Sequence, residues 1–375
     1  MAQHTHPLKI TIFFLLINIG ISCTSCFSEA TVDDTIVTSI QKNWESLEQL
    51  NIAITPPQQS FYRLARISKD DRILAYNPGA HSFDVYEIEN SSTSRTILLA
   101  ATGPNSVEEV RDFYLMPNDS IVCFGRNNIK VIGVDGKVGR TLNLAAGELT
   151  GIDQSRYQVS VKAEGGIAAG VVNDKLYVPI HNYEHSDYNE PARYNVDVPL
   201  VGQLDLKTGH LTEQIIRYPA RFREDVYGFG SQPQFAYTPK EIIYSFTGFP
   251  EIYVFDPKSE QTRTISGTIP GAPATPSALN QPPEIHIRQV IQYTNAVYDV
   301  TENAVYQGIL YPKVLDQPRK LLLRKVDLGT GKQIHTDFPK RHSFIGMFVD
   351  SKGRLVLPNM NGEEDILAFT LGDIE

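Results

Sequence analysis

Short apolar runs separated by polar turns recur along the whole chain. The clearest copy occupies residues 348–358, where Phe348 and Val349 are followed by Asp350, Ser351, Lys352 and Gly353, and then by Leu355, Val356 and Leu357. Comparable turns stand at residues 69–72, 117–120, 173–175, 238–241 and 301–304. Most lead into a β-rich run such as residues 73–76, 121–124 or 242–246. Apolar runs bounded by Asn, Asp, Gly and Pro read as hairpins. Six copies spaced at roughly 50 to 65 residues mark a repeat architecture.

A second hairpin follows most of the first ones, at residues 131–142, 202–211, 252–265 and 324–334. Three of these turn on an Asp followed by Ser or Thr and then Gly or Glu, at Asp205, Asp256 and Asp327. The Asp carboxylate caps backbone N–H groups, and Gly accepts a positive φ. The predicted unit is therefore four antiparallel strands, and such units set radially make a β-propeller. The pattern predicts an all-β fold: a six-bladed β-propeller of four-stranded blades, spanning residues 35–375 as one domain. A seventh blade would require a unit hidden in residues 145–170 or 218–300. The last unit offers strands near residues 345–349, 354–357 and 365–371 and then ends. An open blade would expose a sheet edge. An N-terminal strand near residues 35–40 or 52–54 is expected to complete it and close the ring. Residues 35–54 otherwise read as one or two strands, or a short helix about residues 44–50.

The long connections lie at residues 179–200, 218–234, 266–292 and 308–320, all on the face opposite the short turns. Insertions gathered on one face mark a binding face, the alternative being variable loops without a ligand. Within the first, His181, Tyr183, His185 and Tyr188 stand with Glu184 and Asp187. Imidazole and carboxylate could hold a divalent ion, but two histidines four apart align only on a helix, and Pro179 and Pro191 bracket this stretch, so no metal site is assigned. In the second, Arg221, Arg223 and Tyr227 suit carboxylate, phosphate or sugar recognition; the other reading is an Arg–carboxylate network fastening the loop. In the third, His286 and Arg288 alternate as on the start of a strand. No nucleophile elbow, phosphate loop or calcium loop is present, and no catalytic residue or cofactor is assigned.

Composition changes this picture only at the N-terminus. With 34 basic and 43 acidic residues the net charge is −9, which argues against nucleic acid as a partner. Lys9 precedes a largely apolar run over residues 10–21, and small residues and Cys23 follow. These are the proportions of a secretory signal over residues 1–22, too short to span a bilayer comfortably. The stretch Gly20, Ile21, Ser22, Cys23 resembles a lipobox, with Cys23 the residue lipidated, Cys26 a competing site, and an ordinary cleaved signal peptide the alternative. Residues 23–34 would then form a tether. Cys123 is the remaining cysteine of three, so no internal disulfide is available, and it reads as a small buried hydrophobe.

With the leader, the lone internal cysteine and the turns at Asp205, Asp256 and Asp327 in view, the chain resembles lipoproteins of Bacteroidota-type bacteria. It is most similar to the family known as domain of unknown function 4221, over residues 30–375. That resemblance implies a six-bladed propeller of TolB-like shape and carries over no catalytic residues. The expected protein is exported to the cell envelope, anchored by lipid to the membrane, most plausibly the outer one. It would bind a small molecule, a glycan or an envelope protein on its long-loop face. The alternative is a propeller hydrolase or lyase, or a lactonase-like metalloenzyme, acting at the channel mouth.

Overall fold

The computed structural model describes residues 30–32, 37–39, 48–53, 65–67, 71–88, 92–116, 118–144, 149–159, 169–182, 184–194, 198–213, 216–267, 269, 272–278, 282–314, 318–338, 346–358 and 366–372. Residues 1–22, read above as a secretory signal, Cys23, Cys26 and most of residues 23–34, read as a tether, lie outside the described residues.

Nearly every described element is a strand. Three short ones come first: β1 (Ala30–Val32), β2 (Val37–Ser39) and β3 (Glu48–Ala53). The first sheet is β4 (Ala65–Ile67), β5 (Arg72–Asn77), β6 (Ser82–Glu87) and β7 (Ser92–Leu98), paired in sequence order. The second repeats this with β8 (Asp112–Leu115), β9 (Ile121–Phe124), β10 (Asn128–Ile132) and β11 (Val138–Asn143). In the third, the innermost strand is broken into β12 (Tyr157–Val159) and β13 (Gly170–Val172), which both pair with β14 (Lys175–Asn182). Next to β14 come β15 (Val201–Leu204) and β16 (Leu211–Glu213). The fourth sheet is β17 (Pro233–Tyr237), β18 (Ile242–Phe246), β19 (Phe249–Asp256) and β20 (Gln261–Ile265). The fifth again divides its first strand, as β21 (Gln292–Tyr293) and β22 (Val297–Asp299), before β23 (Ala304–Leu310), β24 (Leu321–Asp327) and β25 (Gln333–Asp337). The last holds β26 (Phe348–Val349), β27 (Leu355–Pro358) and β28 (Ile366–Gly372).

Among the described residues the strands thus form six sheets, set as a β-propeller. The N-terminal strands extend the last three of them. β1 runs parallel to β20, β2 runs parallel to β25, and β3 pairs antiparallel with β28 from Ala53 opposite Ile366 to Glu48 opposite Leu371. The segment near residues 35–40 therefore joins the fifth sheet, and the segment reaching residue 53 joins the sixth.

The continuous apolar runs of the sequence have a simple cause. A central strand of one sheet is covered on both faces by its neighbours, so all four residues of β9 and all five of β18 are buried. Successive side chains still point to opposite sides. Val122 and Phe124 pack with Leu176 and Val178 of the third sheet, while Ile121 and Cys123 pack with Leu74 and Phe83 of the first. Ile242 and Tyr244 face Tyr177 and Val201, whereas Ile243 faces Val305 and Val326. Each sheet from the first to the sixth packs on the next in chain order, ending with Tyr306 and Leu323 against Phe348 and Leu355. The sixth also meets the first: the Ser351 N–H donates to Asp71 Oδ1 at 2.7 Å. Cys123 is a free, buried thiol whose pKa burial and the nearby Asp112 charge push up to about 12.

The Asp turns behave as their residue types require. The N–H groups of Lys207, Lys258 and Gly329 donate to the carboxylates of Asp205, Asp256 and Asp327 at 2.7, 2.8 and 2.8 Å. Four residues after each Asp the backbone has a positive φ, at Gly209, Glu260 and Gly331.

Only two α-helices are described, α1 (Arg221–Glu224) and α2 (Pro283–Gln289), and neither is long or apolar enough to cross a membrane. The second corrects the reading of residues 284–288 as a strand start. Pro283 at its first turn has a φ suited to a helix and no N–H to lose, and Glu284 complements the positive end of the helix. On a helix His286 and Arg288 leave in different directions: His286 is buried and Arg288 is exposed.

Candidate functional site

The four long connections are fastened to one another. The first, between β14 and β15, carries a 3-10 turn at Pro191–Tyr194; the second, between β16 and β17, carries α1 and a 3-10 turn at Gly228–Ser231. Tyr194 Oη donates to the Tyr188 carbonyl at 2.5 Å and lies 2.5 Å from Ser231 Oγ, which joins the first connection to the second. The Ala278 N–H donates to the Val226 carbonyl at 2.7 Å, and His286 Nε2 to the Tyr227 carbonyl at 3.0 Å, joining the second to the third. The Lys313 N–H reaches the Arg288 carbonyl at 3.2 Å, joining the third to the fourth. Gly228 makes the tightest of these approaches. Its φ is +52°, and a β-carbon there would stand 2.7 Å from that of Ala278.

An aromatic cluster fills the space beneath. Ring centroids of Tyr194 and Tyr218 are 4.9 Å apart, as are those of Phe222 and Phe249, and all four side chains are buried. These rings let connections that carry many polar backbone groups rest on an apolar floor continuous with the sheet core.

A pocket of about 410 Å³, counting its open mouth, lies on this rim between the third and fourth sheets. The end of β14 contributes Pro179 through Asn182, the first connection contributes Tyr188, Arg193, Val198 and Leu200, and Tyr218, Pro233 and Phe235 complete it. Arg193 is 3 % exposed, its Nη1 donates to the carbonyls of His185 and Ser186 at 2.8 and 3.1 Å, and its guanidinium lies 4.0 Å from the Tyr188 ring centroid. Burial pushes the Tyr188 hydroxyl up to about 12 and raises the Tyr218 hydroxyl as well, so both are neutral at physiological pH.

The residues singled out by sequence fall into three groups. His181 and Tyr188 line the pocket. His185 lies in the same connection, its Nδ1 2.8 Å from Glu190 Oε1 and its N–H held by Asn182 Oδ1 at 3.2 Å. Arg221 and Tyr227 belong to a second cluster. Arg221 donates to both oxygens of Glu251, at 2.6 and 2.9 Å, and to Tyr253 Oη at 3.1 Å, and its guanidinium stacks 4.1 Å from the Phe249 centroid. Tyr227 packs edge-on against Phe222 and Phe249. His286 is buried at the junction of two connections, and burial lowers its pKa. Arg223 and Arg288 are exposed, and Tyr183 lies outside the described residues. Among the described residues no three His, Cys, Asp or Glu side chains stand together in a way that could hold a metal ion.

Asn182, Arg193 and Tyr218 were not singled out by sequence. The signal available for Arg193 was weak: a lone Arg after Pro191, with Tyr188 and Tyr194 on either side.

The profile of the family described as domain of unknown function, DUF4221, matches residues 31–316. No curated protein matches the sequence. Among solved structures, a DUF4221 member from Bacteroides vulgatus is similar with a TM-score of 0.72 at 16 % identity, covering 88 % of this chain and 97 % of that one. A Bacteroides fragilis protein described as exported is similar with a TM-score of 0.56 at 11 % identity, covering 91 % of this chain and all of that one. Likeness at these identities concerns the fold.

Proposed function

The chain belongs to the DUF4221 family, and from that premise we propose that it is an exported binding protein of the cell envelope that takes its ligand or partner on the long-loop rim. The observation that carries this reading is that four insertions are bonded in series along one rim, where the first two line a pocket that holds buried polar side chains. A rigid ring of sheets that presents such loops is suited to recognition, because little ordering is required on binding. His181 and Tyr188 are the proposed contacts at the pocket. Arg221, Arg223, Tyr227, His185, His286 and Arg288 shape or border the rim.

Export is supported by the leader-like residues 1–22 and by the similarity to an exported protein of Bacteroides fragilis. Lipidation at Cys23 would anchor the protein in the membrane, with residues 24–29 as the start of a tether. We further read the six sheets as six blades, with β3 completing the last one and closing the ring; the β3–β28 ladder and the Ser351–Asp71 contact favour this.

The test is a thermal-shift and calorimetric screen of the purified protein against oligosaccharides, peptides and divalent ions. A ligand is expected whose binding falls at least about tenfold in Tyr188→Ala. Ligands that bind equally well to Tyr188→Ala and His181→Ala variants would place the site elsewhere and sink the reading.

A further inference from the structure

The pocket between the third and fourth sheets is one-sided in its chemistry. Asn182, Arg193 and Tyr218 line it, at 2, 3 and 3 % exposure. Each keeps one buried polar atom outside any well-formed hydrogen bond: Asn182 Nδ2, Arg193 Nε and Tyr218 Oη, the last beside the Arg193 guanidinium. All three can donate a hydrogen bond, and two of them can only donate. No Asp or Glu lines the pocket. Among the described residues Arg193 has no carboxylate partner; of the acids in its own connection, Glu184 is paired with Arg156, Asp187 accepts from Asn189 and Glu190 is engaged with His185. A buried guanidinium held by two carbonyls, a ring face and the neighbouring Tyr218 hydroxyl, with no carboxylate, is unusual, since buried charges are ordinarily paired.

Two guests can be weighed against this arrangement. A water accepts two hydrogen bonds and carries no charge, so it leaves one donor idle and the guanidinium uncompensated. A carboxylate offers about four lone-pair sites on two oxygens and one negative charge, which answers all three donors and the cation together. The enclosed part has room for only a small group, so the head enters and the rest of the molecule lies across the mouth beside the half-buried His181.

We propose that this pocket binds a free carboxylate group, presented by a ligand whose body rests on the rim. The inference rests on the long-loop-rim reading above and narrows it to one ligand chemistry. Asn182 keeps its second task in doing so, because its Oδ1 orders the His185 N–H.

The experiment compares acetate with its neutral isostere acetamide, at matched ionic strength, by thermal shift on the purified protein. Acetate is expected to stabilise and acetamide is not. Tyr218→Phe deletes a hydroxyl whose neighbour is the Arg193 guanidinium and keeps the ring that packs on Tyr194 and Phe222, so the fold should hold, and the acetate affinity should fall about tenfold. Asn182→Asp keeps the acceptor for His185 and places a carboxylate beside Arg193; it should raise the melting temperature and abolish the acetate response. Galacturonate against galactose, and an acetylated dipeptide against its amide, then report whether a sugar acid or a peptide end is the better source. Equal responses to acetate and acetamide, or an acetate response unchanged in both variants, overturn the proposal. A neutral sugar that binds in a Tyr188-dependent way without any acetate response overturns it too, while leaving the rim reading in place.

Discussion

At the scale of single residues, the apolar interior holds a few buried cations, Arg193 and Arg324 among them. Arg324 is fully buried between the fourth and fifth sheets, donates from Nε to Gln307 Oε1 at 2.9 Å and from Nη2 to the Pro250 carbonyl at 2.7 Å, and has its pKa lowered to about 10 by burial. His335 is its cross-strand partner on β25, and burial first, then the Arg324 charge, holds the imidazole down to about 4. The unfolded chain protonates this histidine near 6.5, so between about pH 6.5 and 4 acid favours unfolding. The neutral imidazole's contribution is complete above 6.5 and is lost as pH falls toward 4, amounting to about 3 kcal/mol. Urea unfolding at pH 7.5 and 5 should show about 2 kcal/mol of that loss in the natural protein and a much smaller one in His335→Gln. A residual slope is expected from His286, whose pKa burial lowers in the same direction. None of this was legible in the sequence, where Arg324 and His335 stand on apparently amphipathic strands. Burial of a polar residue depends on which sheet covers it, and that is settled by neighbours far away in the chain. The same holds for Arg193.

At the scale of elements, the turns were the legible part. A short Asp-led turn is a local device, decided by hydrogen bonds within five residues, so Asp205, Asp256 and Asp327 could be read directly. Their one irregular member makes a prediction. Glu260 occupies, at φ +55°, the position that glycine fills at Gly209 and Gly331. A residue with a β-carbon is disfavoured in that region. Glu260→Gly should therefore raise stability by about 1 kcal/mol, seen as a higher urea midpoint at an unchanged slope. Helix α2 was illegible for the converse reason. Seven residues give too short a window for periodicity to separate helix from strand, and what fixes it is the Pro282–Pro283 start and the docking of His286 on the Tyr227 carbonyl. The position of the long connections was readable from spacing alone. Their bonding to one another was not, because the contacts at Tyr194, Ala278 and Lys313 are made between irregular segments far apart in the chain.

At the scale of the whole molecule, the repeat showed itself because successive sheets pack face to face and each inner one is covered on both sides by copies of itself, which imposes the same apolar spacing again and again. Less legible was the placement of the first strands, since β1 and β2 add parallel to sheets whose own four strands are already complete. Deleting residues 1–35, which removes β1 alone, should leave a cooperatively folded protein of somewhat lower stability by urea titration. Deleting residues 1–54 also removes β3, bares the edge of β28, and should give a protein that aggregates rather than unfolding in one step. A soluble, cooperative protein from the second deletion would show that β3 is dispensable. The pairing of Ala30 with Arg263, Val37 with Gln333 and Ala53 with Ile366 also has a kinetic meaning. These are contacts of very high sequence separation, and loop-closure entropy makes such contacts late and slow. The first strands to be synthesised are thus among the last to find partners, and they wait with unpaired edges while more than two hundred further residues are made. These ladders therefore close late in the folding reaction, although one strand of each is made well before the sheet it joins.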